Sequence, residues 1–380
     1  MTRRRVLALR SAVARRASPS GRVLAVLALA MGCTANEERS GGGAVSDGSA
    51  SGGAGAASGG ESGGGSAGAA GAGGAGASAG GGGAGSGGAG SGGAGAAAGS
   101  GGGAAAGGAG ASCATCGSWG APGSSASLQL PEVDELSGLA ASRRSPGVYY
   151  AHNDSGDSAR FFAFGEDGGS LGTFVLPGAT ARDWEDMDLG PCPAGSCVFL
   201  ADFGDNARAR TSYRIYRVTE PAVSAGSPGG TIDVAWDAFD YVYEDGSHNA
   251  EALLVHPTTG ELYVMTKQAG ASHVFRMEAP GAAGAQVTLT RIATLTLGAG
   301  ALATGGSVHP CGDRLLLRTY GGLLEYVATG AFETAFAASP AAVVAAPEAQ
   351  GEAVTYTADG LGYLTLSEGS SPALHLARCD

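Results

Sequence analysis

Apolar residues in this chain come in short runs of four to ten, rich in aromatic and β-branched side chains and bounded by Gly, Pro, Asn and Asp. No long segment repeats its apolar positions with helical spacing, so the pattern predicts strands and almost no helix. One arrangement of runs returns along the chain. A small or acidic turn leads into an apolar strand at Glu135-Leu-Ser-Gly-Leu139, Asp183-Trp-Glu-Asp-Met187, Asn249-Ala-Glu-Ala-Leu253, Thr304-Gly-Gly-Ser-Val308 and Gly351-Glu-Ala-Val354. Each is followed by a second apolar strand: Val148–Ala151, Val198–Ala201, Leu262–Met265, Leu315–Leu317 and Tyr363–Leu366. Further strand-like runs follow within each repeat, among them Phe161–Phe164, Tyr213–Val218, Tyr241–Tyr243, His273–Met277 and Ala373–Ala377.

An all-strand unit recurring at about 50 residues predicts an all-β, β-propeller fold. Four strands per repeat make a blade. The fifth repeat ends after three strands, and Ser127–Leu130 can supply the fourth, closing the ring and removing exposed edges. Five blades are expected, and Thr219–Tyr243 leaves room for a sixth.

The expected domain spans 113–380. Residues 34–112 are Gly, Ala and Ser with little else, which cannot bury enough apolar surface to offset chain entropy, and read as a disordered tether. Residues 1–33 combine seven Arg with an apolar run from Val23 to Met31 and read as an export signal. That signal ends in Ala30-Met31-Gly32-Cys33, which resembles a bacterial lipobox, so lipidation of Cys33 is expected. Ala30 departs from the usual Leu, which leaves a conventional cleaved signal open. The expected location is outside the cytoplasm of a bacterium, anchored to a membrane through lipid alone, or secreted if Cys33 is not lipidated.

Charge is segregated. Residues 1–33 carry +7, residues 34–112 carry −3, and the remainder carries −16. A strongly acidic domain disfavours nucleic acid and anionic membrane surfaces. A monomer is expected, and no ligand or protein partner is named by the sequence. Cysteine usage fits an oxidising compartment. Cys192 and Cys197 flank Pro-Ala-Gly-Ser and predict a local disulfide, while Cys113, Cys116, Cys311 and Cys379 allow three pairings.

Aligning the repeats places Ser137, Glu185, Glu251, Gly306 and Glu352 at one level, at the top mouth of the channel. Three converging glutamates repel one another unless something compensates. The ends of the second strands offer Asn153-Asp154, Asp202, Thr266-Lys267, Arg318-Thr319 and Ser367-Glu368, with Lys267 and Arg318 expected to face the acids. Two loops, His152-Asn-Asp-Ser-Gly-Asp157 and Asp202-Phe-Gly-Asp-Asn206, set oxygen donors around a Gly. Flexible oxygen-rich loops suit calcium, although neither has EF-hand spacing, and Asp or Asn in such loops also serve ordinary turns. The candidate metal ligands are therefore Glu185, Glu251, Glu352, Asp154, Asp157, Asp202 and Asp205. The candidate ligand-binding residues are Asn153, Lys267, Arg318 and Glu368. Trp184 reads as a core anchor. The chain has no Gly-x-Ser-x-Gly elbow, no His-Glu-x-x-His, no phosphate-binding loop and no dinucleotide fingerprint.

The segments Ser137-Gly-Leu-Ala, His152-Asn-Asp-Ser-Gly-Asp157, Asp183-Trp-Glu-Asp186, Asp202-Phe-Gly-Asp-Asn206 and Gly351-Glu-Ala-Val354 resemble a group of secreted bacterial β-propeller lipoproteins. The acidic residue before a short apolar strand is more distantly similar to the phytase-like and SdiA-regulated propeller families. The resemblance spans roughly Leu128 to Arg378 and implies a calcium-associated propeller, with Glu185, Glu251 and Glu352 at the recurrent acidic position. Two functions compete: a surface-anchored propeller binding a cation or small ligand at its acidic top face, or a calcium-dependent hydrolase of phosphoesters or esters. In the second, the glutamates hold a cation that activates water while Lys267 and Arg318 stabilise negative charge. Binding is favoured because no nucleophile or general base is identifiable.

Overall fold

A computed structural model of the chain describes residues 114–280 and 283–380. The export signal, Cys33, the Gly/Ala/Ser tether and Cys113 lie outside the described residues. The described chain is all-β: β1 (Gly123–Ser127), β2 (Leu136–Ala141), β3 (Val148–Asn153), β4 (Arg160–Gly165), β5 (Ser170–Val175), β6 (Trp184–Cys192), β7 (Gly195–Asp202), β8 (Tyr213–Thr219), β9 (Thr231–Asp233), β10 (Trp236–Tyr243), β11 (Ala250–Val255), β12 (Leu262–Thr266), β13 (Ala271–Met277), β14 (Val287–Thr296), β15 (Ala303–Val308), β16 (Arg314–Thr319), β17 (Gly322–Val327), β18 (Ala341–Val343), β19 (Gly351–Tyr356), β20 (Gly362–Ser367) and β21 (Ala373–Arg378). Phe332–Ala337 forms a 3-10 turn. No helix among the described residues is long and apolar enough to cross a membrane.

The strands form antiparallel meanders: β2-β3-β4-β5, β6-β7-β8-β10, β11-β12-β13-β14, β15-β16-β17-β18 and β19-β20-β21-β1. The second and third meanders join through a parallel pairing of β10 with β14, so the two read as one continuous sheet. The first strands pack in a closed cycle, β2 on β6, β6 on β11, β11 on β15, β15 on β19 and β19 on β2. The arrangement is propeller-like. Five apolar clusters fill the spaces between successive meanders, so each sheet is covered on both faces. Strands covered on both faces are built mostly of apolar and small residues, and two polar exceptions on β6, the buried Asp186 and Asp188, accept backbone N–H bonds from Met187 and Leu253 and from Leu189 and Val255. Trp184, 1% exposed, lies in the cluster between the first and second meanders, a core anchor as its sequence context predicts.

The strand that completes the last meander is Gly123–Ser127, four residues earlier than the Ser127–Leu130 expected from sequence. An edge strand needs only its backbone to pair. The apolar Leu128 and Leu130 are spent instead on the cluster between the last and first meanders. Thr219–Tyr243 yields no additional sheet: β10 completes the second meander and β9 adds parallel to β5. A disulfide joins Cys116 to Cys379 across 263 residues, and Trp119 pairs with Cys379 beside it. Cys192 and Cys197 form the local disulfide, and Cys311 is disulfide-bonded as well.

Candidate cation site at the channel mouth

Every first strand carries the same irregularity. Its pairing with the second strand skips one residue, between Leu136 and Gly138, Trp184 and Asp186, Ala250 and Ala252, Ala303 and Gly305, and Gly351 and Ala353. A bulge of this kind leaves the extra residue out of the ladder and re-aims its side chain. The residues so placed are Ser137, Glu185, Glu251, Thr304 and Glu352. Thr304 therefore stands where the sequence alignment had put Gly306, because the Gly305-Gly306 pair hides the true register. At the uncharged positions a hydroxyl ties neighbouring first strands: Ser137 Oγ donates to the Glu185 carbonyl at 2.5 Å and Thr304 Oγ1 to the Gly351 carbonyl at 3.0 Å.

The turns on either side of the bulge complete the mouth. Backbone bonds clamp Asp154 to Glu135, Gly204 to Asp183, Lys267 to Asn249 and Glu368 to Gln350, at 2.8–3.0 Å. Carboxylate oxygens of Asp154, Asp183 and Glu185 lie within 4.8 Å of one another. Asp183 was not singled out as a ligand from sequence, although it opens the second repeat two residues before the bulge. Among the described residues no Lys, Arg or His forms an ion pair with any of the three. Burial, then Glu251, Asp154 and Asp183, push the Glu185 carboxyl well above its ordinary range. Burial, opposed by the Ser155 N–H and reinforced by Asp183, Glu251 and Glu368, pushes Asp154 up to about 7. Burial and Glu251 likewise raise Asp183, against the pull of Arg210. Gly204 makes the convergence feasible, since a Cβ there would overlap Glu185 Oε1 and the Asp183 carboxyl.

Beside this trio a hydrogen-bonded arc continues round the mouth. Glu251 Oε1 accepts from Asn249 Nδ2 and from Lys267 Nζ, both at 3.0 Å. Lys267 Nζ also donates to Tyr320 Oη at 2.9 Å and lies 5.1 Å from that ring's centre. Tyr320 Oη and Gln350 Nε2 each donate to Glu352 Oε1 at 3.1 Å, and Gln350 Nε2 also meets Glu368. Burial would lower the Lys267 ammonium, but Glu251 and Tyr320 outweigh it and hold it up. Burial, then Glu368 and Glu251, raise the Glu352 carboxyl to about 8.

The remaining candidates are held by local partners. Asp157 pairs with Arg160 Nε at 2.9 Å and accepts from Asn153 Nδ2 at 2.9 Å, and Asn153 Nδ2 also caps the Glu132 carbonyl. Asp202 pairs with Arg210 at 2.8 Å. Burial works against ionisation of Asp205, yet bonds from the Ala209 and Arg210 N–H groups and the Tyr213 hydroxyl hold its carboxyl below the usual range. Asp157, Asp202, Asp205 and Asn153 thus brace loops in this structure. Arg318 does not face the glutamates. It pairs with Gly305, the ladder position held elsewhere by His152 and Met265, and turns between sheets, 1% exposed and 2.8 Å from Glu348. The position beside the acids belongs to Tyr320, two residues on. His309, Cys311 and Asp313 also cluster, but the Cys311 sulfur is consumed by its disulfide.

No family model and no curated protein matches the chain. A solved structure described as a candidate 6-phosphogluconolactonase from Bacteroides uniformis is similar at a TM-score of 0.33 and 12% identity, over 63% of this chain and 66% of that one. A likeness at that level carries no argument about activity.

Proposed function

We propose that this chain is an extracytoplasmic propeller of five blades, tethered to a bacterial membrane through Cys33, that binds one calcium ion at the mouth of its channel. The observation that carries this reading is the convergence of Asp154, Asp183 and Glu185 within 4.8 Å, with no basic side chain paired to them among the described residues. One buried and two half-buried carboxylates in one place are costly without a positive charge between them. An all-oxygen donor set drawn from turns and a bulge suits a hard cation, and calcium better than magnesium because calcium tolerates irregular geometry. The disulfides fit an oxidising compartment.

Titration calorimetry and thermal melting of the chelated protein, with and without calcium, test the reading. Calcium is expected to bind one-to-one and raise the melting temperature, and Glu185→Gln is expected to abolish both effects while the circular dichroism stays that of a β protein. No heat and no shift in the parent protein would refute the site. A hydrolytic role keeps one specific support: Glu352, whose carboxyl burial raises to about 8, sits in the mouth and accepts bonds from Tyr320 and Gln350, a placement suited to proton transfer.

A further inference from the structure

Lys267 is the only lysine among the 380 residues, and the structure sets it inside the acidic mouth. Its ammonium is seated as a bound cation would be. Glu251 Oε1 lies 3.0 Å away, Tyr320 Oη 2.9 Å, and the Tyr320 ring face 5.1 Å. The side chain is 16% exposed, and Glu251 beneath it 3%. Glu251 in turn touches Glu185, one of the three proposed calcium ligands. The mouth therefore gathers its acids into two neighbouring groups, Asp154, Asp183 and Glu185 in one and Glu251, with Glu352 across Tyr320 from it, in the other. Only the second holds a protein cation.

We propose that Lys267 is a tethered occupant of a two-cation site: its ammonium fills the Glu251 position and so limits the mouth to one soluble divalent ion. This rests on the calcium reading of the trio. The physical reason is that a buried carboxylate stripped of its partner is strongly destabilising and recruits whatever cation can reach it. A four-carbon stem keeps the ammonium at very high local concentration, so a free ion cannot displace it from Glu251. An arginine would preserve the charge at this position; a methionine would preserve the apolar stem and remove the charge.

The test is calcium titration by calorimetry, with thermal melting, on the parent protein, Lys267→Met, Lys267→Arg and the double variant Lys267→Met with Glu251→Gln. Lys267→Met is expected to bind two calcium ions where the parent binds one, and to gain more melting temperature from calcium than the parent does. Lys267→Arg is expected to stay at one ion, and the double variant to return to one because the second position has lost its carboxylate. A Lys267→Met protein that is unfolded in chelator but restored by calcium also supports the proposal. One that stays unfolded with calcium overturns it, leaving Lys267 a structural plug. One that folds and still binds a single ion with unchanged affinity overturns it as well. If neither the parent nor Lys267→Met binds calcium, both readings fail together. If the parent binds none and Lys267→Met binds one, the calcium reading of the trio fails and the two-cation site with it, because only the Glu251 position then takes an ion.

Discussion

His152 offers a quantitative test of the core that supports the mouth. Its imidazole is fully buried, packed edge-on to Trp184 with ring centres 5.5 Å apart. Nδ1 lies 2.8 Å from the Asn153 carbonyl and so carries the proton, while Nε2 has no partner in the protein. Burial lowers its pKa from 6.5 to about 4, against the smaller opposing effects of the Asn153 and Asp186 backbone and of Asp157. The folded state therefore disfavours the imidazolium, and as pH falls the unfolded chain takes up the proton first. Stability is unaffected above the unfolded value of 6.5, falls as pH drops below it, and levels off below about 4. The difference amounts to about 3 kcal/mol, a large part of a domain's whole stability. Urea unfolding of the parent and of His152→Gln, at about pH 8 and about pH 4, isolates this contribution, because Asp154, Glu352 and the other carboxyls titrate in both proteins. The parent should lose roughly 3 kcal/mol more than the variant between the two conditions. Parallel losses would refute the assignment of a buried neutral histidine.

Two further outcomes follow from the geometry. Gly204→Ala introduces a Cβ into the space used by Glu185 and Asp183; it should cost about 1–3 kcal/mol by overpacking and remove the calcium-dependent rise in melting temperature. Calorimetry showing normal calcium binding in that variant would mean the two carboxyls do not converge. Cys116→Ser opens the link to Cys379 that closes the ring and should lower stability by roughly 2–5 kcal/mol, read by thermal melting under non-reducing conditions, while an unchanged melting temperature would show that the edge pairing of β1 with β21 suffices alone.

The sequence by itself determined the strand-rich architecture, the repeat and the level at which acidic residues recur. Strands packed between two sheets favour short runs of mostly apolar and small residues, and the bulge demands one extra residue at the same place in each repeat, so both leave marks in the order of residues. Glu185, Glu251 and Glu352 were legible for that reason. What the sequence could not decide was which side chains meet. Strand side chains alternate faces, so a slip of one residue turns a side chain from the mouth into the space between sheets. That parity sends Arg318 to Glu348 and leaves Tyr320 beside Lys267. The Gly305-Gly306 pair concealed the same kind of slip, and Thr304 took the place assigned to Gly306. Asp157, Asp202 and Asp205 match the trio in composition, but Arg160, Arg210 and the Tyr213 hydroxyl lie within reach of them once the chain turns. Asp183, which opens the second repeat two residues before Glu185, converges with Asp154 and Glu185. Convergence across separate meanders is a distance, set by packing of the inner strands round a common axis, and no local pattern of residues encodes it.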